Sequence, residues 1–334
     1  MIFCTLFDSY YLDRGIILYK SLEKVTDDFK LYIFAFDDRS YEILKEMNFA
    51  KAIIVHHSEF ETKELLKLKS ERTKAEYCWT CTPVIINHVL TRYDESDCTY
   101  IDADMYFFSD PKPLFDEIYE SNADIVITPH RFSNSLRDRR LCKRSGKYCV
   151  EFNFFNQSLN AKDALTWWTN KCAEWCFHIY EPERFGDQKY LMKFPLLFKG
   201  VHELQHLGGC VAPWNLKQYK LVSENPVVLI EKVSELKGTD EFELILYHFQ
   251  NLRFISSKYV NVSSEIHNKR LKDVVYKPYL REMVEIRKKL AENYGMEFEI
   301  KKKNSSNKLI ALLQGSILRF KVRSISDIYN LEKV

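Results

Sequence analysis

Residues 100–108 read YIDADMYFF, an apolar run broken by two aspartates one residue apart. Carboxylates are among the side chains least often buried, and residues i and i+2 of a strand point to one face. Two like charges on one face of a hydrophobic run repel each other unless something positive lies between them. The apolar residues before them predict a strand over 98–104, CTYIDAD, which Asp102 and Asp104 close.

Outward from this strand, the first half of the chain alternates strand and helix. MIFCTLF (1–7), KLYIFAF (30–36), AIIVHH (52–57) and DIVITP (124–129) read as strands. Between them, 11–24 carries Leu12, Ile16 and Leu22 at helical spacing, and 40–47, 60–69 and 81–92 also read as helices. Strands joined by crossover helices predict an α/β fold with a mostly parallel central sheet and helices on both faces. Ligands of such sheets bind at the carboxyl ends of the strands, which is where the two acids stand. Beyond residue 130, HRFSNSLRDRRLCKRSGKY (130–148) lacks apolar periodicity and reads as loop, CVEFNFF (149–155) as an antiparallel strand, and 161–177 as an aromatic-rich helix. After LYHFQNLRFI (246–255) the chain becomes charged and helical through Tyr294, then passes KKKNSSNK (301–308), read as a hinge. A main domain over 1–255 with a helical C-terminal appendage over 256–334 follows from this pattern.

Composition narrows the function classes. With 334 residues, 46% hydrophobic and 14% aromatic, the chain can bury a sizeable core, and a formal net charge of +2 gives no bulk attraction to nucleic acid. It has no run of about 18 apolar residues, the length a membrane span needs. MIFCTLF lacks the charged start and cleavage site of a signal peptide, and nine cysteines without framework spacing suit reduced thiols, so a cytoplasmic location is expected. Cys142, Cys149, Cys172 and Cys176 raise a zinc site as an alternative. They lack a tight CxxC, and Cys172 and Cys176 sit among Trp167, Trp168 and Trp175, so small buried hydrophobes is the favoured reading.

Three readings compete for the acids. They are caps or ion-pair partners at a strand end, the acids of a haloacid-dehalogenase-type phosphohydrolase, or ligands of a divalent metal. The second wants Thr or Val two residues after the second acid, where Tyr106 stands. Neither GxxxxGK[ST] nor GxGxxG occurs to cradle a phosphate. A metal removes the clash of like charges by placing +2 between them.

A hydrophobic strand entering Asp-x-Asp in the second half of an α/β nucleotide-binding domain resembles the GT-A glycosyltransferases. The surroundings resemble the retaining family 8 group and related bacterial sugar transferases. RTKAEYCWTCTP (72–83) resembles the segment before their Asp-x-Asp strand, FGDQKYL (185–191) their Asp-Gln motif, and YHFQNLR (247–253) their late His-x-x-Gly block. The order is that of the family, and the likeness runs from residue 2 to about 255. The resemblance divides the main domain into a nucleotide-sugar half, 1–130, and an acceptor half, 131–255. One departure follows His248, where Asn251 takes the Gly position and the family's Lys-Pro-Trp is missing, which leaves Arg253 as the substitute for the lysine on the diphosphate. A second block, HLGGCVAPW (206–214), fits the same pattern with Ala212 in place of Lys, so His206 competes with His248, which is favoured. Glu151 stands where the family tends to have Gly, which would alter the acceptor side.

What the resemblance implies is a UDP-sugar donor, a glycan or lipid-linked acceptor, and Mn2+ or Mg2+ held by Asp102, Asp104 and His248, the nitrogen ligand favouring Mn2+. Ala103 joins the donor-binding set. Asp8 would meet uracil or ribose with Tyr10 or Tyr11 stacking, the alternative for Asp8 being a helix N-cap. Arg72 or Lys74 would contact the donor sugar or phosphates, or else belong to a solvated face. Asp187 would orient donor sugar and acceptor, and Gln188 would lie near the anomeric carbon. Trp214, between Pro213 and Asn215, is placed on a turn where it could stack on a sugar. Two other classes stay open: a degenerate sugar-nucleotide or glycan-binding module, and a sugar-phosphate nucleotidyltransferase. The latter would need a glycine-rich N-terminal loop that CTLFDSYYLDRG (4–15) does not supply. In the tail, Leu309, Leu312, Leu313, Ile317 and Phe320 lie near one helical face among Lys308, Arg319, Lys321 and Arg323. That face suits peripheral contact with the inner surface of the membrane, or packing on the body or on a second subunit as a homodimer; packing is slightly favoured.

Overall fold

The computed structural model describes residues 1–232, 241–262, 268–298 and 328–334. The amphipathic segment read over 308–323 lies outside them. The chain forms two compact units, one of Met1–Val211 with Phe242–His248, the other of Ala212–Glu241 with Phe249–Val334. Among the described residues no helix is long and apolar enough to cross a membrane.

The first unit runs through β1 (Ile2–Phe7), α1 (Leu12–Val25), β2 (Lys30–Ala35), α2 (Asp38–Met47), β3 (Ala52–His56), α3 (Lys63–Glu71), α4 (Lys74–Arg92), β4 (Asp97–Ile101) and β5 (Met105–Phe107). It continues with α5 (Lys112–Glu120), β6 (Ile125–Pro129), α6 (Leu136–Ser145), β7 (Tyr148–Asn156), α7 (Leu159–Glu174), the single turn α8 (Phe194–Leu197) and β8 (Val201–Glu203). Seven of these strands form one sheet in the order β3-β2-β1-β4-β7-β6-β8. The sheet is parallel except for β7, which runs against both β4 and β6. Phe3, Cys4, Leu31, Ile33 and Phe34 are wholly buried, the continuous apolar reading expected of strands covered on both sides. The mixed α/β architecture with a mostly parallel central sheet is therefore the one expected.

Two boundaries differ from the sequence reading for identifiable reasons. Helix α4 begins at Lys74 rather than 81, because Thr73 and Glu76 form a capping box: Thr73 N donates to Glu76 Oε2 at 2.9 Å and Glu76 N to Thr73 Oγ1 at 3.4 Å. From there α4 packs on β1, β4 and α7, burying Cys81, Ile85, Ile86 and Val89. The stretch 130–148, read as loop, contains α6. Ser135 Oγ caps it by accepting from Asp138 N at 3.1 Å, and Asp138 in turn accepts from Ser133 N at 3.0 Å. Asp138 is the one residue of α6 that is buried, so the helix carries no apolar stripe for a periodicity reading to detect.

In the second unit, β9 (Tyr219–Glu224) and β10 (Val227–Glu231) form an antiparallel hairpin. The chain then contributes β11 (Phe242–Glu243) and β12 (Leu246–His248) to the first unit before returning as β13 (Arg253–Phe254), β14 (Tyr259–Asn261), the long helix α9 (Lys269–Tyr294) and β15 (Ile328–Asn330). Strands β13, β14 and β15 form an antiparallel sheet. Phe249 stacks on Tyr279 of α9 with ring centroids 3.8 Å apart, and Arg287 lies 3.4 Å over the Phe254 ring.

Candidate metal centre

Strand β4 ends at Ile101, three residues earlier than the sequence suggested, so Asp102 and Asp104 do not lie on a strand. They occupy the turn into β5, where Met105 N donates to the Asp102 carbonyl at 3.3 Å. Strand β5 pairs antiparallel with β12, and its register sets His248 opposite Met105. This short pairing carries a histidine distant in sequence to the carboxyl end of β4. His248 Nε2 stands 3.0 Å from Asp104 Oδ1 and 3.7 Å from Asp102 Oδ2. His206, the competing histidine, is elsewhere: its Nδ1 accepts from Gly208 N at 3.2 Å and its backbone N donates to Glu117 Oε2 at 2.8 Å.

The other ring nitrogen of His248 is also held. Its Nδ1 lies 2.6 Å from Glu151 Oε2, and Cys149 Sγ donates to Glu151 Oε1 at 3.0 Å. Glu151 is wholly buried on β7, facing His248. A carboxylate on Nδ1 fixes the imidazole's orientation and leaves Nε2 to face the two acids, the arrangement typical of metal-ligating histidines. Nearby His130 is pushed down to about 4 by burial, so it stays neutral and adds no competing charge.

Electrostatics separate the two acids. Burial pushes Asp102 up to about 7, with Asp104 adding to the rise and His248 opposing it. Its Oδ1 accepts from the Tyr100 hydroxyl at 2.8 Å. For Asp104 burial acts upward too, but the facing His248 outweighs it and holds this carboxyl below its ordinary range. Burial would lower His248, yet Asp104 and Glu151 raise it well above an ordinary imidazole. A proton on His248 thus supplies positive charge between the acids, and a divalent ion would take over that task. Two carboxylates and one imidazole offer ligand atoms within 4.8 Å of one another, a hard-oxygen set with one nitrogen that fits Mn2+ or Mg2+.

Asp8 follows β1 and takes the capping role considered for it, its Oδ1 accepting from Tyr10 N at 3.0 Å, while its Oδ2 pairs with Lys74 Nζ at 2.8 Å. Tyr10 is 75% exposed and Tyr11 37%, their ring centroids 5.8 Å apart, which leaves Tyr10 as the open aromatic face. Arg14, not singled out from sequence, is buried, lies 4.3 Å over the Tyr11 ring and helps hold Asp104 low. Arg72 is engaged in structure rather than solvated: it donates to Thr80 Oγ1 and to the Ala173 carbonyl, bridging to α7. Ala103 is buried between the acids.

Asp187 is 4% exposed, pushed up to about 8 by burial and then by Asp102. Its Oδ2 has no hydrogen-bond partner among the described residues, while its carbonyl accepts from Trp168 Nε1 at 3.0 Å. Gln188 Nε2 donates to the Ser145 carbonyl at 2.7 Å, which ties it to the end of α6. Arg253 belongs to the second unit, where its Nη2 donates to Asn251 Oδ1 at 3.4 Å. Asn251, at the position where the resembled block has Gly, adopts φ +64°, a left-handed conformation that Asn tolerates better than most residues. Trp214 is buried in that same unit rather than open for stacking.

The chain is 32% identical to the uncharacterized protein YfnD of Bacillus subtilis (strain 168) over 283 residues, 83% of this chain and 87% of that one. It belongs to the same family as YfnD. YfnF of the same organism, also described as uncharacterized, is 30% identical over 287 residues, 84% of this chain and 89% of that protein. No family model matches the chain. Among solved structures, the galactosyltransferase LgtC in complex with donor and acceptor sugar analogs aligns with a TM-score of 0.49 at 10% identity, covering 83% of this chain and 96% of that one. Mouse xyloside xylosyltransferase 1 aligns with a TM-score of 0.44 at 13% identity, covering 75% and 98%.

Proposed function

We propose that this member of the YfnD family is a metal-dependent glycosyltransferase, one that moves a sugar from a UDP-sugar to a glycan or lipid-linked acceptor with retention of configuration. The observation that carries the reading is the convergence of Asp102, Asp104 and His248 Nε2 at the carboxyl end of β4, with Glu151 on the far nitrogen. The sequence resemblance supports the chemistry, since the Asp-x-Asp, Asp-Gln and late histidine blocks follow in the family order.

Asp102, Asp104 and His248 would hold Mn2+ in preference to Mg2+; the bound ion would neutralise charge that develops on a leaving diphosphate. Asp8 and Lys74 form an ion pair at the same edge of the sheet, which a nucleotide would open, and the exposed Tyr10 ring would stack on the base. Arg253 is the cation proposed for the diphosphate in place of the family lysine. Asp187, raised to about 8, is a carboxylic acid at neutral pH, which lessens its repulsion with Asp102 and leaves a proton it could donate to a bound sugar. In that state it can orient a sugar hydroxyl, with Gln188 beside it fixed by Ser145. The nine free thiols suit a reducing cytoplasm.

The test is a thermal-shift panel of nucleotide sugars with and without Mn2+, followed by donor hydrolysis and transfer assays. UDP-sugars should raise the melting temperature only with metal, and Asp104→Asn should abolish both the shift and turnover. Metal-independent binding would remove the site assignment. Metal-dependent binding without any turnover would make the chain a sugar-nucleotide-binding module.

A further inference from the structure

A second group of ligand atoms lies apart from the site above, at the ends of β2 and β3. Asp38 opens α2, His56 closes β3, and His57 begins the turn that follows. Both imidazoles turn the same nitrogen to the same oxygen: His56 Nε2 is 2.9 Å and His57 Nε2 3.0 Å from Asp38 Oδ1. The two rings lie 4.1 Å apart, and Tyr41 packs edge-on against His56 at 4.7 Å. Adjacent residues on an extended chain point opposite ways, so two consecutive histidines meet on one carboxylate only because the chain bends into the turn at 57. That bend is held by a capping box in which His56 N donates to Glu59 Oε1 at 2.9 Å.

The far nitrogens are anchored as well. His57 Nδ1 is 3.0 Å from Glu61 Oε2, and His56 Nδ1 is 2.7 Å from Ser58 Oγ. The Glu61 side chain is buried and fixed by Lys69 Nζ at 2.7 Å and by the Tyr77 hydroxyl at 2.8 Å. A His57 proton given to Glu61 leaves the Nε2 lone pair facing the Asp38 carboxylate, a repulsive contact that a cation between them would relieve. Ser58 N donates to His56 Nδ1 at 3.3 Å, so presenting the His56 Nε2 lone pair requires moving the ring proton to Nδ1, where Ser58 Oγ can accept it in place of that contact.

We propose that Asp38, His56 and His57 form a second metal site, taking a borderline transition ion such as Zn2+, Co2+ or Ni2+. Two nitrogens and one oxygen suit these ions over Mg2+, whereas the two-carboxylate site suits Mn2+ or Mg2+. Tetrahedral ligands about 2.0–2.1 Å from zinc stand roughly 3.3–3.4 Å from one another, so the Nε2–Oδ1 separations need to open by only a few tenths of an ångström. Asp38, with 75% of its side chain exposed, is free to make that adjustment. Solvent would supply any further ligand, and the ion would clamp the start of α2 to the turn after β3.

The experiment titrates metal-free full-length protein carrying Asp104→Asn, which silences the first site, with Zn2+ by calorimetry. One equivalent should bind. Adding His57→Gln should weaken it on the order of 100-fold or more, and adding Glu61→Gln on the order of 10-fold, because that carboxylate only orients a ligand. Asp38→Asn, a change at an exposed side chain, gives a second ligand variant that leaves the packing intact. Failure of the Asp104→Asn chain to take up zinc, or uptake unchanged by both His57→Gln and Asp38→Asn, would overturn the site and leave His57 hydrogen-bonded between two carboxylates.

Discussion

Asp187→Asn should stabilise the protein while removing its activity. The side chain is almost wholly buried, its Oδ2 lacks a partner among the described residues, and Asp102 faces it, so the ionised form is disfavoured. The carboxyl titrates at about 8 in the folded chain and at about 3.9 when unfolded. Below about 4 both states are protonated and folding carries no penalty. Between about 4 and about 8 the folded state binds the extra proton, so stability falls as pH rises, with a limiting slope of roughly 1.4 kcal/mol per pH unit. Above about 8 the loss is complete, and about four units set its upper bound at roughly 5–6 kcal/mol.

An amide has the same shape and no charge, so the variant should escape that loss. Its new N–H group still needs a partner, at a cost of about 1–3 kcal/mol, which brings the expected net gain at pH 8 to about 2–5 kcal/mol. Urea unfolding of metal-free wild type and variant from pH 4 to 9 measures the difference directly. The two stabilities should be close at pH 4 and diverge steadily above it. Parallel curves would show that Asp187 is ionised and solvated in the folded protein, and the assignment of a hydrogen-bond-donating acid would fall with them.

The two acids of the candidate metal site, Asp104 and Asp102, should respond oppositely in metal-free protein. Asp104→Asn removes the partner of a protonated His248 and should lower stability by about 1 kcal/mol or more, while Asp102→Asn, which replaces a raised carboxyl, should be neutral or stabilising; unfolding midpoints in EDTA decide between them. His248→Ala should weaken Mn2+ binding by at least 10- to 100-fold and His206→Ala should leave it alone; the reverse ranking in a metal titration would transfer the ligand role to His206. Because His248 is raised above 6.5, its ion pairs stabilise the metal-free fold below that pH and fade as pH rises through its folded value. Mn2+ must displace that proton, so its affinity should rise with pH and binding should release protons into weakly buffered solution; a pH-independent isotherm would count against His248 as a ligand.

The parts of this protein legible in its sequence are those whose physical cause is local. Strands covered on both faces must be apolar throughout, so Ile2–Phe7 and Lys30–Ala35 announce themselves, and the acids at 102 and 104 stand out for the same reason. Glu151 gave that signal too, a charge inside an apolar strand, yet sequence alone put it on the acceptor side because its partner is His248, far along the chain. What brings them together is the pairing of β5 with β12, two three-residue strands too short to show any period. The excursion that separates them, from Ala212 to Glu241, belongs to another compact unit, and no composition shift marks where the chain leaves or returns. Helix α6 was hidden for the complementary reason, since it buries one acid instead of an apolar stripe. Catalytic candidates were therefore visible as isolated chemical oddities, and only long-range pairing shows which of them share a site.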